Sequence, residues 1–186
     1  MKESYLFLAE GFEEVEALMT VDIMRRAGME VTTVAIDNYE VVTGAHGVPV
    51  VADALLDELD LTSADALDNV EWLILPGGMP GASNLSACAP LVSALKAHNS
   101  RGGKIAAICA SPAVVLSAHG LLVGRRATCY PGFECQGASL TAERVTVDRN
   151  IVTANGPSSA SNFALEIVRQ SVGDEAAIQV AAGMLI

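Results

Sequence analysis

Cys109 lies directly between two apolar runs, the first at Lys104–Ile108 and the second beginning with Ser111 and Pro112. A short apolar run is typical of a strand, and Ser followed by Pro is typical of a helix start. The order predicts a strand, a sharp turn and a helix, with Cys109 at the turn. We expect the helix N-terminus to lower the pKa of this thiol toward neutrality, which makes Cys109 a candidate nucleophile. The alternative is a buried structural cysteine, since free cysteine behaves as a small hydrophobic residue.

A second candidate group is carboxylic. Glu13, Glu14 and Glu16 fall in the first turns of a predicted helix, where negative side chains favour the helix dipole and need no further role. Glu16 differs because its face is expected to turn inward, beside Val15 and Met19. Burial raises the pKa of a carboxylic acid, so a protonated Glu16 is able to donate a hydrogen bond to a neighbouring thiolate.

Residues 76–81 form a glycine-rich loop after a predicted strand, with the sequence PGGMPG. The loop lacks the Lys-Ser/Thr ending of a phosphate-binding loop and the G-x-G-x-x-G pattern of a dinucleotide site, so no nucleotide cofactor is predicted. It is either an ordinary tight turn or a place where backbone N–H groups approach an anionic ligand. In the second case Gly78 is the expected donor.

The histidines restrict the chemistry. A cysteine hydrolase activated by histidine needs an imidazole within reach of sulfur, and no histidine directly follows Cys109. His98 and His119 stand at predicted helix ends and are expected to face solvent or the helix dipole. His46 lies in the turn at residues 44–47, where it is either an ordinary turn residue or part of the site.

Composition narrows the class of protein. The 186 residues are 51% hydrophobic, enough for one substantial core, and we predict a single domain over residues 1–186. The net charge of −11 argues against a nucleic-acid partner. No apolar run is long enough for a membrane span, and the N-terminus does not have the pattern of a signal peptide. A cytoplasmic location is the resulting expectation.

The four cysteines contain no C-x-x-C pair; they are Cys88, Cys109, Cys129 and Cys135. Neither a zinc site of the usual spacing nor a thioredoxin-like dithiol is predicted, and the thiols are expected to be free and reduced. No metal or cofactor is therefore expected.

Strands alternate with helices along the chain, which predicts an α/β fold with a mainly parallel sheet covered on both faces. Strands are predicted at residues 5–9, 30–36, 72–75, 104–108, 127–129, 144–148 and 151–154, helices at 13–27, 90–99, 112–119, 158–171 and 174–186, and a hairpin at 39–52. Ligands bind beyond the carboxyl ends of parallel strands. Residues 10–16, residues 76–81 and Cys109 should meet there.

Five segments in this order resemble the ThiJ/PfpI superfamily, and in particular its DJ-1 branch. They are AEGFEEVE at 9–16, VDIMRRAG at 21–28, LPGG at 75–78, AAICA at 106–110 and GP at 156–157. The resemblance implies a flavodoxin-like three-layer sandwich, a nucleophile elbow and a homodimer that forms through the first helix and the hairpin.

Transferred residue by residue, the resemblance makes Cys109 the reactive cysteine and Glu16 its protonated partner. Gly78 and Ala110 correspond to the backbone donors that bind an oxyanion or a sulfinate. The chain departs from the branch at Tyr130, which replaces the histidine of a His-Pro pair, and at His46, which replaces an arginine. Tyrosine, with a pKa near 10, is a poor base but still donates a hydrogen bond.

The resemblance implies a glyoxalase or deglycase that acts on small reactive carbonyls or their protein adducts. The alternative is a peroxide-sensing redox protein or chaperone that uses Cys109 without turning over a small molecule. Protease-like members resemble Cys-His-Gly-Pro at the elbow, whereas this chain has Cys109 followed by Ala-Ser-Pro, and it has no His-x-Glu of the amidotransferase relatives. Proteolysis and ammonia transfer are therefore disfavoured.

Overall fold

The computed structural model describes residues 2–186; Met1, the first residue of the predicted domain, lies outside them. The strands are β1 (Glu3–Leu8), β2 (Val31–Ala35), β3 (Val41–Thr43), β4 (Pro49–Val51), β5 (Ala54–Leu55), β6 (Val70–Leu75), β7 (Lys104–Ile108), β8 (Arg126–Ala127), β9 (Ser139–Leu140), β10 (Val145–Asp148) and β11 (Ile151–Ala154). The helices are α1 (Glu14–Arg26), α2 (Ala64–Asp68), α3 (Gly81–Ala87), α4 (Ala89–Ser100), α5 (Ala160–Ser171) and α6 (Asp174–Met184). A π-helical segment covers Pro112–Ser117.

Seven strands form the central sheet in the order β10-β11-β7-β6-β1-β2-β5. Every neighbouring pair is parallel except β10 and β11, which are antiparallel at one edge. Strand β7 thus lies between β6 and β11, and its carboxyl end lies in the interior of the sheet and not at an edge strand. The parallel sheet predicted from alternating strands and helices is confirmed.

Successive residues of the central strands face opposite sides of the sheet, and each side carries its own apolar core. On one side Leu6 and Ile108 pack with α1, α5 and α6. On the other side Phe7 and Ala107 pack with α3, α4 and the π-helical segment. The result is a three-layer α/β sandwich, as predicted.

Helix α1 begins within residues 10–16, the first of the segments expected to meet at the site. The side chain of Glu13 caps the helix by accepting a 2.7 Å hydrogen bond from the Glu16 backbone N–H. The helix ends at Arg26, one residue before the predicted end at residue 27. The predicted inward face is only partly right, since Glu16 is fully buried but Val15 is 47% exposed.

Several elements differ from the prediction. The helix expected after Cys109 is π-helical and two residues shorter, and β8 belongs to a separate two-stranded sheet with β9 instead of the central one. The pattern also missed β5, α2 and α3, which are short elements of two to seven residues. None of the helices within residues 2–186 is both long and apolar enough to cross a bilayer.

Candidate active site

Cys109 occupies a strained turn immediately after β7. Its φ of 66° lies in the left-handed region that non-glycine residues rarely adopt. The surrounding structure fixes this conformation, because the Cys109 N–H donates to Ala154 O at 2.9 Å and its carbonyl accepts from Tyr130 N at 2.8 Å. The sharp turn predicted between strand and helix is therefore present, and it gives the side chain a direction that neither element alone would give.

The residues after the turn are held differently from the prediction. Ser111 occupies the position before the π-helical segment, but it has helical backbone angles and its side chain does not cap the helix. Its hydroxyl instead donates a 2.6 Å hydrogen bond to Pro76 O. Ser111 thereby ties the elbow to the glycine-rich loop.

Glu16 reaches the site from α1. Its side chain is fully buried, and Oε2 accepts a 2.7 Å hydrogen bond from the Gly77 backbone N–H. The carboxyl group lies within hydrogen-bonding range of the Cys109 thiol. Oε1 has no partner of conventional hydrogen-bond geometry in the described part of the chain. The structure thus brings the predicted acid and the predicted thiol together.

The two groups compete for a single negative charge. Burial raises the pKa of Glu16 to about 7, even though the Gly77 N–H and the thiol favour its charged form. Burial, together with the charge and hydrogen bond of the Glu16 carboxylate, raises the pKa of Cys109 to about 12. The expectation that the helix N-terminus alone lowers the thiol pKa is therefore wrong. A thiolate here requires a protonated Glu16, which removes the repulsion and donates a hydrogen bond to sulfur.

Two backbone N–H groups also act on the sulfur. Those of Gly78 and Ala110 both favour the thiolate form of Cys109. Gly78 has a φ of 88°, and a β-carbon on it would stand 2.5 Å from Gly11 O. Only glycine therefore allows the loop to pass this close to the segment before α1. These are the two groups that the resemblance implies as donors, and their role in binding an oxyanion or a sulfinate stays a prediction.

Tyr130 lies beside the elbow through its backbone bond to Cys109. The residue is 45% exposed, and its ring packs edge-on against Phe133 at 6.5 Å between ring centres and lies over Gly156. A cavity of about 330 Å³ adjoins it, and Cys129 and Asn155 are among the residues that line this cavity. Tyr130 therefore borders an opening large enough for a small molecule.

His46 contacts α1 through Glu14. Its ring Nδ1 and its backbone N–H are each 2.7 Å from a carboxylate oxygen of Glu14, while its side chain is 71% exposed. The hydrogen bond with Glu14 raises the pKa of His46. Burial favours the neutral form of the Glu14 carboxyl group. The hydrogen bonds from His46 nevertheless lower the pKa of Glu14.

Glu13 joins Glu14 and His46 in a group whose potential ligand atoms lie within 4.8 Å of one another. Both oxygens of Glu14 and one of Glu13 already accept hydrogen bonds from within the chain. This arrangement explains the group as a helix cap and an ion pair without requiring a metal.

Sequence reasoning missed Gly77, whose N–H positions the Glu16 carboxyl. The available signal was the Gly77-Gly78 pair, because two successive residues without side chains allow neighbouring groups to approach the backbone closely at both positions. Only Gly78 was predicted as a donor. It also missed the interaction between the thiols of Cys129 and Cys135. The Pro131-Gly132 pair between them was a signal for a turn that returns the chain on itself.

Comparison with known proteins agrees with this fold. The chain is 38% identical over its whole length to the DJ-1 homolog B of Arabidopsis thaliana, and 35% identical over 89% of its length to a protein of Caenorhabditis elegans named glutathione-independent glyoxalase DJR-1.2. It spans 42% and 45% of the Arabidopsis homologs B and A, so it is about half as long as these relatives, but it spans 86% of the C. elegans protein.

The solved structures give the same result. The oxidized form of Toxoplasma gondii DJ-1 superposes with a TM-score of 0.89 at 39% identity, covering 100% of this chain and 98% of the other. A sequence model of the DJ-1/PfpI family matches residues 2–170, a range that contains Glu16, the glycine-rich loop and Cys109. The chain belongs to the DJ-1/PfpI family.

Proposed function

We propose that this protein is a cysteine-dependent enzyme that acts on small reactive carbonyls, with Cys109 as the nucleophile and Glu16 as the group that moves protons. The observation that carries the proposal is the convergence on one sulfur of a buried carboxyl group and two backbone N–H groups. The C. elegans relative named a glutathione-independent glyoxalase supports this class of substrate. Deglycation of protein adducts would use the same first step.

The geometry suits addition to an aldehyde. The sulfur of Cys109 bonds to the carbonyl carbon, and the carbonyl oxygen takes the proton that Glu16 held, which gives a hemithioacetal. The N–H groups of Gly78 and Ala110 are placed to stabilise the negative oxygen as it develops.

For methylglyoxal the remaining steps need one base and water. The Glu16 carboxylate removes the proton on the sulfur-bearing carbon and returns it to the neighbouring carbon through an enediol, which leaves a thioester. Water then cleaves the thioester to lactate and frees the thiol. Methylglyoxal and water together contain the same atoms as lactic acid, so this route needs no cofactor.

Tyr130 limits how protons move at the opening. Its phenol is able to donate a hydrogen bond to a bound carbonyl but is a weak base near neutral pH. Glu16, with a pKa of about 7, is thus the group suited to shuttle protons in this proposal.

Turnover of methylglyoxal tests the proposal directly. Lactate formation by the wild-type protein, lost in Cys109→Ser and in Glu16→Leu but retained in Cys88→Ser, is the expected result. Cys88 is a suitable control because it lies outside the elbow, before α4. If wild type forms no lactate while peroxide still modifies Cys109, the competing function as a redox sensor or chaperone is correct instead. The donors at Gly78 and Ala110 favour that alternative, since they would also bind sulfinate oxygens.

We also propose that the protein forms a homodimer through an α1–hairpin face, defined by α1 and the β3–β4 hairpin. Exposed apolar side chains gather there; they are Val15, Leu18, Val41, Val48 and Val51. The hydrogen bonds between Glu14 and His46 join the two elements into one surface. A two-fold pair of such surfaces would bury these side chains. The four free cysteines fit a reducing compartment such as the cytoplasm, where we place the protein.

A further inference from the structure

Cys129 and Cys135 form a thiol pair outside the proposed acid–thiol site. Both side chains are buried, and both are free. The two thiols lie close enough to affect each other's ionisation, since Cys135 favours the charged form of Cys129. The proposed carbonyl chemistry does not use either thiol. Two adjacent buried thiols therefore need a separate explanation.

The chain between them is a compact turn. Gly132 adopts a left-handed φ of 93°, and Phe133 N donates to Tyr130 O at 3.2 Å. The Cys129 Sγ also lies 3.5 Å from Phe133 O, which orients that thiol into the turn. The turn therefore returns Cys135 to Cys129 across only five intervening residues.

The backbone on either side of the turn is fixed. Thr128 N donates to Thr153 Oγ1 at 3.0 Å, and Ala138 N donates to Cys135 O at 3.1 Å. The two cysteines are consequently held on either side of one fixed turn.

Access to the pair is unequal. The cavity of about 330 Å³ beside Tyr130 is lined by Cys129, and Cys135 is not among the described residues that line it. A small oxidant in this cavity reaches Cys129 first. Burial raises the pKa of both thiols, but the neighbouring Cys135 opposes this effect at Cys129 only. Access and ionisation thus select the same sulfur as the first to react.

We propose that Cys129 and Cys135 are a second, peroxide-driven redox couple that closes to an intrachain disulfide independently of Cys109. The Cys129 thiolate attacks a peroxide oxygen, the O–O bond breaks, and sulfenic acid and water result once the leaving hydroxide takes a proton. The Cys135 sulfur then attacks the Cys129 sulfur, the S–O bond breaks, and a second water leaves. Two thiols are oxidised to one disulfide while one hydrogen peroxide is reduced to two waters.

The disulfide would enclose the residue that borders the elbow. Tyr130 lies inside the closed ring, and its N–H holds the Cys109 carbonyl. Oxidation of the pair would therefore reshape the wall of the cavity next to the site while leaving the Cys109 thiol free. Because thiol–disulfide exchange is reversible, a dithiol reductant would restore the open form.

Peptide mapping tests the couple on the intact protein. Trypsin cleavage after Arg126 and Arg144 places both cysteines in one peptide, 127–144, and places Cys109 in another, 105–125. Wild type and Cys109→Ser are treated with about one equivalent of hydrogen peroxide, alkylated with iodoacetamide without reduction, and digested. We expect peptide 127–144 to lose two hydrogens and to resist alkylation in both proteins, and to accept two alkyl groups after dithiothreitol.

Variants identify the order of the two thiols. In Cys135→Ala the Cys129 sulfenic acid has no resolving partner, so it should be trapped by dimedone, whereas Cys88→Ala should form the disulfide as wild type does. If a variant does not fold, the wild-type peptides alone still decide the question.

Two results would overturn the proposal. One is a cross-link between peptides 105–125 and 127–144, which would make Cys109 the partner of Cys129. The other is full alkylation of both thiols in peptide 127–144 after Cys109 has already gained two oxygens. Loss of lactate formation has no bearing on either readout, because the couple is also measured in Cys109→Ser.

Discussion

The backbone N–H of Gly77 donates a 2.7 Å hydrogen bond to Glu16 Oε2, across 61 residues of sequence. The thiol residue also lies against this glycine, since a β-carbon on Gly77 would stand 2.5 Å from Cys109 Cβ. Gly77 is thus the spacer that sets how closely the acid and the thiol approach. The absence of a side chain at this position is a requirement of the site and not only of the turn.

Gly77→Ala should therefore separate the acid from the thiol. The added carbon overlaps Cys109 Cβ and stands 2.8 Å from Glu16 Oε2, so one of the two must move. We expect the rate of Cys109 alkylation by iodoacetamide to change by at least about tenfold, equivalent to about 1.4 kcal/mol. Gly183→Ala is the control, because a β-carbon there meets no atom within 4 Å. Equal alkylation rates in wild type and both variants would contradict this assignment.

The hydrogen bond from Glu16 should be visible in the thiol pKa. Glu16→Gln and Glu16→Leu both remove the carboxylate charge, but only Gln keeps a donor toward sulfur. We expect the pKa of Cys109 to lie about one to two units lower in Glu16→Gln than in Glu16→Leu, the usual worth of a hydrogen bond to a charged group. Thiolate absorbance in the ultraviolet, followed against pH, measures both values. Identical pKa values in wild type and the two variants would remove Glu16 from the site.

Glu16 should also make folding stability depend on pH. Its pKa is about 7 in the folded chain against 4.5 for an unperturbed glutamate, so the folded state holds the proton more tightly. The stabilisation is fully present below pH 4.5 and is lost as the pH rises through 7. Between pH 4.5 and 8 the free energy of unfolding of wild type should fall by about 3 kcal/mol relative to Glu16→Gln.

Denaturant unfolding at a series of pH values measures this difference. Glu30→Gln is the matched control, since Glu30 is exposed. Its stability should follow that of wild type at every pH. A constant difference between wild type and Glu16→Gln over this range would mean that folding does not raise the pKa of Glu16.

Sulfinic acid should form at Cys109 before any other cysteine. The Gly78 and Ala110 N–H groups are placed to bind the new oxygens, and a protonated Glu16 is a further donor. Graded peroxide treatment followed by mass mapping should show a two-oxygen gain confined to peptide 105–125. Earlier formation of sulfinic acid at another cysteine would show that the reactive thiolate lies elsewhere.

The proposed dimer predicts a concentration-dependent mass. Leu18→Glu places a charge in the α1–hairpin face and should convert the dimer to a monomer at micromolar concentration. Val123→Glu is the control, because Val123 is 66% exposed in the loop before β8. Light scattering after size exclusion measures both. A monomeric wild type would refute the dimer, whereas association that changes with pH near the imidazole pKa would implicate His46.

The elbow and the buried acid were predictable because local signals define them. The apolar strand before Cys109 and the Ser-Pro pair after it place the turn, and the position of Glu16 on α1 places it inside. The resemblance to a family then supplied the backbone donors. Fold and nucleophile therefore follow from patterns within about ten residues of each group.

Features that depend on contacts between residues far apart in the sequence were not predictable. His98 was expected at the surface, yet it is buried against Gly103, where a β-carbon would stand 2.3 Å from the ring. The raised pKa of Cys109 likewise depends on burial and on a carboxyl group from another element, which local sequence does not encode. The helix dipole alone predicted a lowered pKa for Cys109, which is the wrong direction, because that argument omitted burial and the Glu16 carboxyl group.

The backbone bonds at Cys109 also determine when the site comes into existence as the chain folds. The N–H of Cys109 bonds to Ala154 and its carbonyl to Tyr130, residues that are made well after the elbow itself. A partly folded chain without β11 therefore lacks the bond to the Cys109 N–H, and the strained φ and the direction of the thiol are held less firmly. The late arrival of these partners would delay an organised thiol until the sheet is nearly complete, which makes thiol reactivity a reporter of finished folding. The Cys109 amide should correspondingly be among the slowest to exchange its hydrogen.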